Sequence, residues 1–206
     1  MRLFLLNIHD VKTEHIQLIS PERAEKARRY KFPADQKRCI AGGLLLRAFL
    51  GDTAVAADEF GKPRATSGVC FNLSHSGDWA ALVLGETEVG CDIEQIKQVN
   101  PFRLGKVVYT EQELMSIENS ADRQGRFFEL WTKKEALLKC MGNGFHRAAK
   151  TVDVCGDSFV ENGKVYRLKT KLFSDYAVSV CVENDSADFE VEFLTVEQLL
   201  ALLAQK

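Results

Sequence analysis

The chain has 206 residues, 46% of them hydrophobic and 27% charged, which is the composition of an ordinary globular protein of one or two domains. Its formal net charge of -2 argues against a general nucleic-acid binder, because such proteins are usually strongly basic. No apolar run reaches the roughly 20 residues that a membrane span requires, and the apolar run in residues 1–10 is too short for a signal peptide. We therefore expect a protein that binds neither nucleic acid nor a membrane and that begins with a strand.

The cysteines point to free thiols. The six cysteines and four histidines contain no Cys-x-x-Cys pair and no zinc-type spacing. Cys70, Cys91, Cys155 and Cys181 stand among apolar residues, so we expect buried thiols. Free thiols indicate a reducing compartment, and a cytoplasmic location is therefore predicted.

The segment after the first strand predicts two basic helices. Ser20-Pro21-Glu22 combines a capping serine, a proline at the first helical position and an acid in the first turn. Pro33 should end or bend this helix, and a second helix is expected from about Asp35 to Phe49. Basic side chains dominate this segment, so it presents either a solvated face or a surface for a phosphate-bearing ligand. These side chains are Arg23, Lys26, Arg28, Arg29, Lys31, Lys37 and Arg38.

The next region predicts a tight loop followed by two strands. Gly61-Lys62-Pro63 forms the tight loop, from which Lys62 should project outward. Strands are expected at Val69–Leu73 and Trp79–Leu84, with a loop at Ser74–Asp78 between them. The small hydroxyls, histidine and glycine of this second loop suit the capture of a phosphate by side chains and backbone N–H groups.

Two other interpretations of Ser74 and His75 stay open. A lone histidine in a loop is often structural. Ser74 could instead be a nucleophile with His75 as its base, but adjacent residues rarely face each other and no orienting acid can be named.

The stretch Val89–Glu94 predicts a strand that carries two carboxylates on one face. Side chains alternate along a strand, so Asp92 and Glu94 point the same way, while Cys91 and Ile93 point toward the core. Two neighbouring carboxylates repel each other and are costly to desolvate without a cation, and Mg²⁺ prefers such oxygen ligands. The alternative is a polar strand end that faces water.

The second half of the chain begins near Pro101 and contains a long helix. The helix is expected from about Asp122 to Cys140, with a stop signal at Met141–Gly144. Glu135 and Lys139 share one of its faces and form either an exposed ion pair, worth about 0.3–0.5 kcal/mol, or part of a site.

The remaining sequence is rich in predicted strands. They are expected at Thr151–Cys155, Val165–Phe173, Tyr176–Val182 and Phe189–Leu194, before a C-terminal helix that begins at Thr195. The predicted fold class is α+β, with two pseudo-symmetric subdomains at residues 1–100 and 101–206. Each subdomain is a small, mainly antiparallel sheet packed with helices.

Four sequence blocks together resemble the 4'-phosphopantetheinyl transferases, specifically the long, Sfp-type members. In chain order they are Gly61–Pro63, Phe71–Gly77 with Trp79, Gly90–Glu94, and Trp131–Lys139 with its Trp-x-x-Lys-Glu-x-x-x-Lys pattern. The resemblance covers roughly Ser20 to Gly144, and the C-terminal third matches only in length and general character.

The resemblance implies a transfer reaction on coenzyme A. The phosphopantetheine arm would move to a serine of an apo acyl or peptidyl carrier protein, releasing adenosine 3',5'-bisphosphate. Asp92, Glu94 and Glu135 would hold Mg²⁺, Glu135 or a water beside it would take the serine proton, and Lys139 would stabilise the phosphate charge. The residues implied in binding coenzyme A are Arg23, Lys26, Arg38, Lys62, Ser74 and His75.

The resemblance also implies a monomer with the active site in the cleft between its subdomains, serving fatty acid or secondary metabolite biosynthesis. The exposed residues between Lys97 and Val108 are candidates for docking the carrier. Cys91, Cys39 and Arg23 depart from the usual family residues. Two alternatives are another magnesium-dependent phosphoryl enzyme, such as a nucleotide or coenzyme A hydrolase, and a non-catalytic regulator that binds coenzyme A.

Overall fold

The computed structural model describes residues 1–142 and 149–205. The first half of the chain contains, in order, β1 (Arg2–Asn7), a 3-10 helix (Thr13–Leu18), α1 (Pro21–Arg28), α2 (Pro33–Leu50), β2 (Val55–Ala57), β3 (Pro63–Ala65), β4 (Cys70–Ser76), β5 (Trp79–Gly85) and β6 (Val89–Gln95). The second half contains α3 (Pro101–Val108), α4 (Glu111–Glu118), α5 (Arg123–Met141), a 3-10 turn (Ala149–Thr151), β7 (Ser158–Glu161), β8 (Lys164–Phe173), β9 (Tyr176–Glu183), β10 (Glu190–Leu194) and α6 (Val196–Ala204).

The strands form two four-stranded sheets and a short ribbon. The first sheet has the order β10-β1-β5-β4 and is antiparallel except for the parallel pair of β1 and β10. The second sheet has the order β6-β9-β8-β7 and is fully antiparallel. The ribbon pairs β2 with β3. The predicted α+β class, with helices packed on small and mainly antiparallel sheets, is confirmed.

Three apolar clusters define the layers. In the first cluster α1, α2 and α6 cover the outer face of the first sheet, and in the second α5 covers the outer face of the second sheet. The third cluster lies between the sheets and takes Leu3 and Val83 from one, and Cys91, Ile93 and Val180 from the other. The two sheets therefore pack face to face, and Cys91 and Ile93 point into the core as predicted.

A row of polar side chains also joins the two sheets edge to edge. Asn72, Ser74 and Ser76 occupy alternate positions on β4 and so share one face. Their side-chain oxygens accept hydrogen bonds from the backbone N–H groups of residues 91, 93 and 95, at 3.1, 3.4 and 3.2 Å. These N–H groups lie on the open edge of β6, where the strand has no ladder partner. The predicted loop at Ser74–Asp78 was thus too long, because β4 continues to Ser76.

Two segments cross the predicted boundary at residue 100. β6 precedes the boundary but lies in the second sheet, whereas β10 and α6 follow it and pack on the first sheet and α2. A division into residues 1–100 and 101–206 stays a prediction. The strand pairing adds that each half of the chain contributes secondary structure to the sheet or helix layer of the other half.

Several element bounds differ from those predicted. Pro33 neither ends nor bends α1, which stops at Arg28; it occupies the first turn of α2 instead. The strand predicted at Thr151–Cys155 does not form. Val152 and Val154 are completely buried against the second apolar cluster, and their alternate apolar positions produced the strand-like pattern.

Helix α3 was not predicted. Helix α5 ends where it was predicted to end, with Gly142 in the left-handed region at a φ of 75°. The other stop-signal residues, Asn143 and Gly144, lie outside the described residues. In the described ranges, no helix is both long and apolar enough to cross a bilayer.

Candidate functional site

The site forms where β6 lies directly against α5, and Gly90 makes this approach possible. A Cβ atom placed on Gly90 would stand 2.1 Å from the carbonyl oxygen of Ala136 and 2.5 Å from the amide nitrogen of Cys140. Both are backbone atoms of a packed helix and cannot move aside. Glycine therefore lets the strand that carries Asp92 reach the helix that carries Lys139.

Asp92 is the buried centre of the site. Its side chain is 6% exposed, and its Oδ1 accepts hydrogen bonds from Lys139 Nζ at 2.6 Å and from Ser74 Oγ at 2.8 Å. Its Oδ2 is buried and has no hydrogen-bond partner in the part of the chain that the structure describes. A buried carboxylate oxygen without a partner is costly, so this atom is suited to a cation or a donor from a ligand.

Glu94 and Glu135 flank Asp92. The Oε2 atom of Glu94 accepts a hydrogen bond from Ser76 Oγ at 2.6 Å. Burial and then the charge of Asp92 raise the pKa of Glu94, against that hydrogen bond. Burial and then Asp92 also raise the pKa of Glu135. The charge of Asp92 thus acts on both neighbouring carboxyl groups.

Lys139 compensates part of this negative charge. Besides Asp92, its ammonium donates to Ser74 Oγ and to the carbonyl oxygen of Cys91, both at 3.2 Å. Burial works to lower the pKa of Lys139, but the charge of Asp92 and its hydrogen bond contribute to a net rise. Lys139 is thus held as a cation, and its strong partner is Asp92 across the interface rather than Glu135 on its own helix.

The carboxylates fit a magnesium ion in their chemistry. Mg²⁺ is commonly held by one or two carboxylates, with substrate phosphates and water completing the shell. Across residues 1–142 and 149–205, no group of three or more His, Cys, Asp or Glu side chains is arranged to hold a metal ion by itself. The unpartnered oxygen of Asp92 and the raised pKa values of its neighbours fit a site that substrate phosphates complete.

Positive charges gather around His75, beside the carboxylates. His75 is exposed, but the protein around its ring desolvates it and lowers its pKa, and the charges of Arg38, Lys139 and Arg23 lower that pKa further. Arg38 is fixed in place by donating to the carbonyl oxygen of Gly77 at 2.7 Å and to Asp35 at 2.5 Å. The structure therefore brings three predicted site cations near one another.

Arg23 and Lys26, both on α1, differ in exposure. Arg23 is half-buried, and its Nε donates to the carbonyl oxygen of Cys39 at 3.2 Å. Burial lowers the pKa of Arg23, with Cys39 and Tyr30 opposing that shift. Lys26 is exposed. Arg23 and Lys26 both line a cavity of about 470 Å³ beside α1 and α2, and the other predicted site residues do not line it.

Lys62 is buried, and the prediction that it projects outward was wrong. The residue is 7% exposed, and its ammonium donates to Glu88 Oε2 at 2.7 Å and to the carbonyl oxygens of Val89 at 3.2 Å and Cys140 at 3.0 Å. The tight turn exists, but it folds Lys62 inward because the last carbonyl groups of α5 lack partners within the helix. All three protons of the ammonium are used in these contacts.

A buried ion pair that the sequence analysis missed supports α5 from the other side. Lys134 and Glu113 have side chains 1% and 0% exposed, joined at 2.7 Å. Lys134 also donates to the carbonyl oxygens of Ala149 and Val152, at 3.0 and 2.7 Å. Thr110 and Glu113 form a capping box at the start of α4, and this local pattern gives no sign that Glu113 also pairs with a lysine of α5. The pair holds the segment after α5 against the helix that carries Glu135.

The cysteines are all free, as predicted. Cys91 is buried, and burial raises the pKa of its thiol to about 12, which makes it an inert core residue. Cys39 is also buried and donates weakly to the carbonyl oxygen of Arg23 at 3.8 Å. Cys70 and Cys155 are only partly buried, contrary to expectation.

The fold and the site define an α+β protein whose carboxylates and cations suit a phosphate-bearing ligand together with a divalent cation. Residues 88–190 match the family model of the 4'-phosphopantetheinyl transferase superfamily. This range contains Asp92, Glu94, Glu135 and Lys139. The chain belongs to the 4'-phosphopantetheinyl transferase superfamily.

Individual relatives extend the match along the chain. The 4'-phosphopantetheinyl transferase psf-1 of Bacillus pumilus is 29% identical over 207 aligned residues, covering 90% of this chain and 88% of its own. Sfp of Bacillus subtilis strain 168 is 24% identical over 205 residues, covering 90% and 91%. AcpT of Salmonella typhimurium is 41% identical over 110 residues, covering 50% and 57%. The resemblance to Sfp-type members is confirmed.

Proposed function

We propose that this chain transfers the 4'-phosphopantetheine arm of coenzyme A to a serine of an apo acyl or peptidyl carrier protein. The products are the holo carrier and adenosine 3',5'-bisphosphate. The observation that carries the proposal is the convergence of Asp92, Glu135 and Lys139 at the contact of β6 with α5, inside the range that matches the family.

The reaction is a phosphoryl transfer, which asks a protein mainly for positioning and charge neutralisation. The serine oxygen attacks the phosphorus that bears the pantetheine arm and forms a new P–O bond. The bond from that phosphorus to the bridging oxygen of the pyrophosphate breaks, and the bisphosphate leaves with the electron pair. The serine proton would pass to Glu135 or to a water beside it, since a carboxylate within reach of the serine can act as a general base.

Lys139 stabilises the charge that the phosphates carry during the displacement. Its pKa is raised, so it stays protonated at neutral pH. Its ammonium is already fixed by Asp92 and the carbonyl oxygen of Cys91, so little ordering is needed when the substrate arrives.

Asp92, Glu94 and Glu135 would hold magnesium. When bound, the metal ion supplies positive charge that polarises the phosphoryl oxygens. The unpartnered Oδ2 of Asp92 and the raised pKa values of Glu94 and Glu135 support this assignment, because burial and the charge of Asp92 make the charged form of both carboxyl groups costly without a cation.

The phosphates of coenzyme A would lie along the cations that surround His75. Arg23, Lys26 and Arg38 supply the charge, and Ser74 and His75 supply polar groups at the end of β4. The side chain of Lys62 is 6% exposed, against 29% for Lys139, and it would have to leave its buried partners to reach a phosphate, so we assign it to supporting β6 and α5 instead.

One chain supplies both halves of this site, which supports a monomer. Ser74 and Ser76 come from the first sheet, whereas Asp92 and Lys139 come from β6 and α5. Free thiols and a soluble substrate pair suit a reducing, cytoplasmic setting.

The decisive experiment incubates the protein with coenzyme A, Mg²⁺ and a panel of apo carriers of the fatty-acid, polyketide and peptide-synthetase types. We expect one carrier or more to gain the mass of one phosphopantetheine on its serine. No gain on any carrier contradicts the proposal. Turnover of coenzyme A without an acceptor indicates a hydrolase instead, and binding of coenzyme A without any product indicates a regulator.

A further inference from the structure

Helix α2 contains two consecutive glycines, Gly42 and Gly43, in its buried interior. Glycine is disfavoured there relative to alanine, because it loses the most backbone freedom when it joins a helix. Neither residue lies at a helix end, where glycine has a capping role. Each therefore requires a reason in the packing around it.

The neighbours of the two glycines are of different kinds. A Cβ atom on Gly43 would stand 2.6 and 2.8 Å from Cγ2 and Cβ of Ile19, a residue buried in the first core cluster. A Cβ atom on Gly42 would stand 2.7 Å from Nη2 of Arg23, with the central guanidinium carbon at 3.5 Å and Nε at 3.7 Å. Gly43 thus makes room for the core, and Gly42 makes room for a charged group.

The guanidinium of Arg23 is held against α2 by two features. Its Nε donates to the carbonyl oxygen of Cys39, which lies nearly one turn before Gly42 on the same helix. The missing side chain of Gly42 leaves the space into which Nη2 fits. Together these two features orient the guanidinium group of Arg23, whose charge contributes to lowering the pKa of His75.

We propose that Gly42 is a positioning residue, which seats the Arg23 guanidinium so that its fork meets a phosphate of coenzyme A. This inference rests on the function proposed above. Gly42 touches neither substrate nor reacting atoms, and it acts through Arg23.

Alanine substitutions at Gly42 and Gly43 should distinguish a residue that positions Arg23 from a residue that makes room for the core. In Gly42→Ala the displaced atom is the free end of a flexible side chain, so Arg23 can swing away and the fold keeps its stability. In Gly43→Ala the new methyl group meets the branched Cβ of a buried isoleucine, which cannot swing away. The first change should weaken binding without loss of stability, and the second should lower stability.

The experiment measures coenzyme A affinity by calorimetry and the unfolding midpoint by thermal denaturation. The proteins are wild type, Gly42→Ala, Gly43→Ala, Arg23→Ala and the Arg23→Ala/Gly42→Ala double variant. We expect Gly42→Ala to weaken binding about tenfold, the order of one charge-assisted hydrogen bond. In the Arg23→Ala background the same change should alter affinity by less than about twofold, since a residue that acts only through Arg23 has nothing left to position.

Three outcomes of the affinity and stability measurements overturn the proposed role of Gly42: unchanged affinity in Gly42→Ala, an equal loss in both backgrounds, or a fall in the Gly42→Ala midpoint that matches Gly43→Ala. A readout that needs no ligand separates this failure from failure of the proposed function. The NMR signal of the Arg23 Nε–H should shift in Gly42→Ala and not in Gly43→Ala. A wild-type protein that neither binds coenzyme A nor modifies any carrier overturns the proposed function, and an unshifted Nε–H signal overturns the proposed role of Gly42 itself.

Discussion

The carboxylate end of the site and its cationic end are built in different ways. At the carboxylate end, Asp92 is positioned by a strand and a helix whose backbones touch at Gly90. At the cationic end, Arg23 and Arg38 are positioned by hydrogen bonds from their own long side chains to carbonyl oxygens. The groups that we propose for the reaction thus lie on closely packed backbone, whereas the groups that we propose for nucleotide binding lie on long side chains that can adjust.

The two ends also shift pKa values in opposite directions. Desolvation is the main cause of all three shifts: together with the charge of Asp92 it raises the pKa of Glu94 and Glu135, and together with nearby positive charges it lowers the pKa of His75. The carboxylate end therefore lacks positive charge, which a magnesium ion carries, and the cationic end lacks negative charge, which phosphate groups carry. A ligand with both parts relieves both ends together.

Glu135→Gln should have the largest effect on catalysis. The amide cannot accept a proton, so we expect the transfer rate to fall by about 100- to 10,000-fold. The unfolding midpoint without metal should change little, because the side chain keeps its shape, whereas coenzyme A affinity in the presence of Mg²⁺ should also fall, because Glu135 is one of the proposed magnesium ligands. Rate measurements under saturating coenzyme A check this, and near-normal turnover by the variant contradicts the assigned role of Glu135.

Gly90→Ala should damage the carboxylate end by moving its parts. The added methyl group overlaps backbone atoms of α5, so we expect a loss of about 3 kcal/mol in the free energy of unfolding. In the fraction that still folds, the displaced Asp92 should reduce the transfer rate by about 100-fold. Urea denaturation and the carrier assay measure the two effects.

Gly156→Ala is the matched control for Gly90→Ala. A Cβ atom at Gly156 meets no atom within 4 Å, so this variant should behave as wild type. If the two alanine variants were equally stable and equally active, the close approach of β6 to α5 would not be what positions Asp92.

Lys62→Met tests whether Lys62 belongs to the cationic end or supports the carboxylate end. The change removes the donor to Glu88 Oε2 and to two buried carbonyl oxygens, although Arg64 still pairs with Glu88 Oε1, so we expect a loss of about 2 kcal/mol in the free energy of unfolding. The coenzyme A affinity of the folded protein should stay within about twofold of wild type. Lower affinity at unchanged stability would instead return Lys62 to the nucleotide contacts that the sequence predicted.

The smallest effect is expected in the pH dependence of stability without metal. The pKa of Glu135 is raised in the folded state, so the folded protein binds more protons than the unfolded chain between the ordinary glutamate pKa of 4.5 and the raised pKa. The contribution of Glu135 to stability should therefore fall as pH rises through that window. The difference between wild type and Glu135→Gln in urea melts at several pH values isolates this contribution. A contribution that grows with pH would contradict the raised pKa.

The carboxylate end could be predicted from sequence because its signals are local. Strand alternation places Asp92 with Glu94, and helix periodicity places Glu135 with Lys139. What joined the two pairs was the family resemblance, since Lys139 meets Asp92 across 47 positions. The contact depends on Gly90, whose reason appears only when α5 is packed against it.

The cationic end was predicted less well because its partners are distant. Lys62 meets the carbonyl oxygen of Cys140 across 78 positions, and nothing in a tight loop indicates an inward-facing lysine. Arg38 reaches Gly77 across 39 positions, so its role in fixing a turn was also hidden. The apolar alternation at Thr151–Cys155 misled in the same way, because burial under a helix and burial in a sheet give similar patterns.

The parallel pairing of β1 with β10 has a consequence for the order of folding. Arg2 lies opposite Glu190 and Leu6 opposite Leu194, so the first strand of the chain completes its pairing with the last. The core under α2 likewise includes Val196 and Leu199 from α6. During synthesis, the layer that carries Arg23 and Arg38 must wait with an open strand edge until β10 emerges, and contacts so far apart in sequence form slowly. The first sheet, which contains the first strand to be made, is thus the last to complete its pairing, after all the strands of the second sheet have left the ribosome.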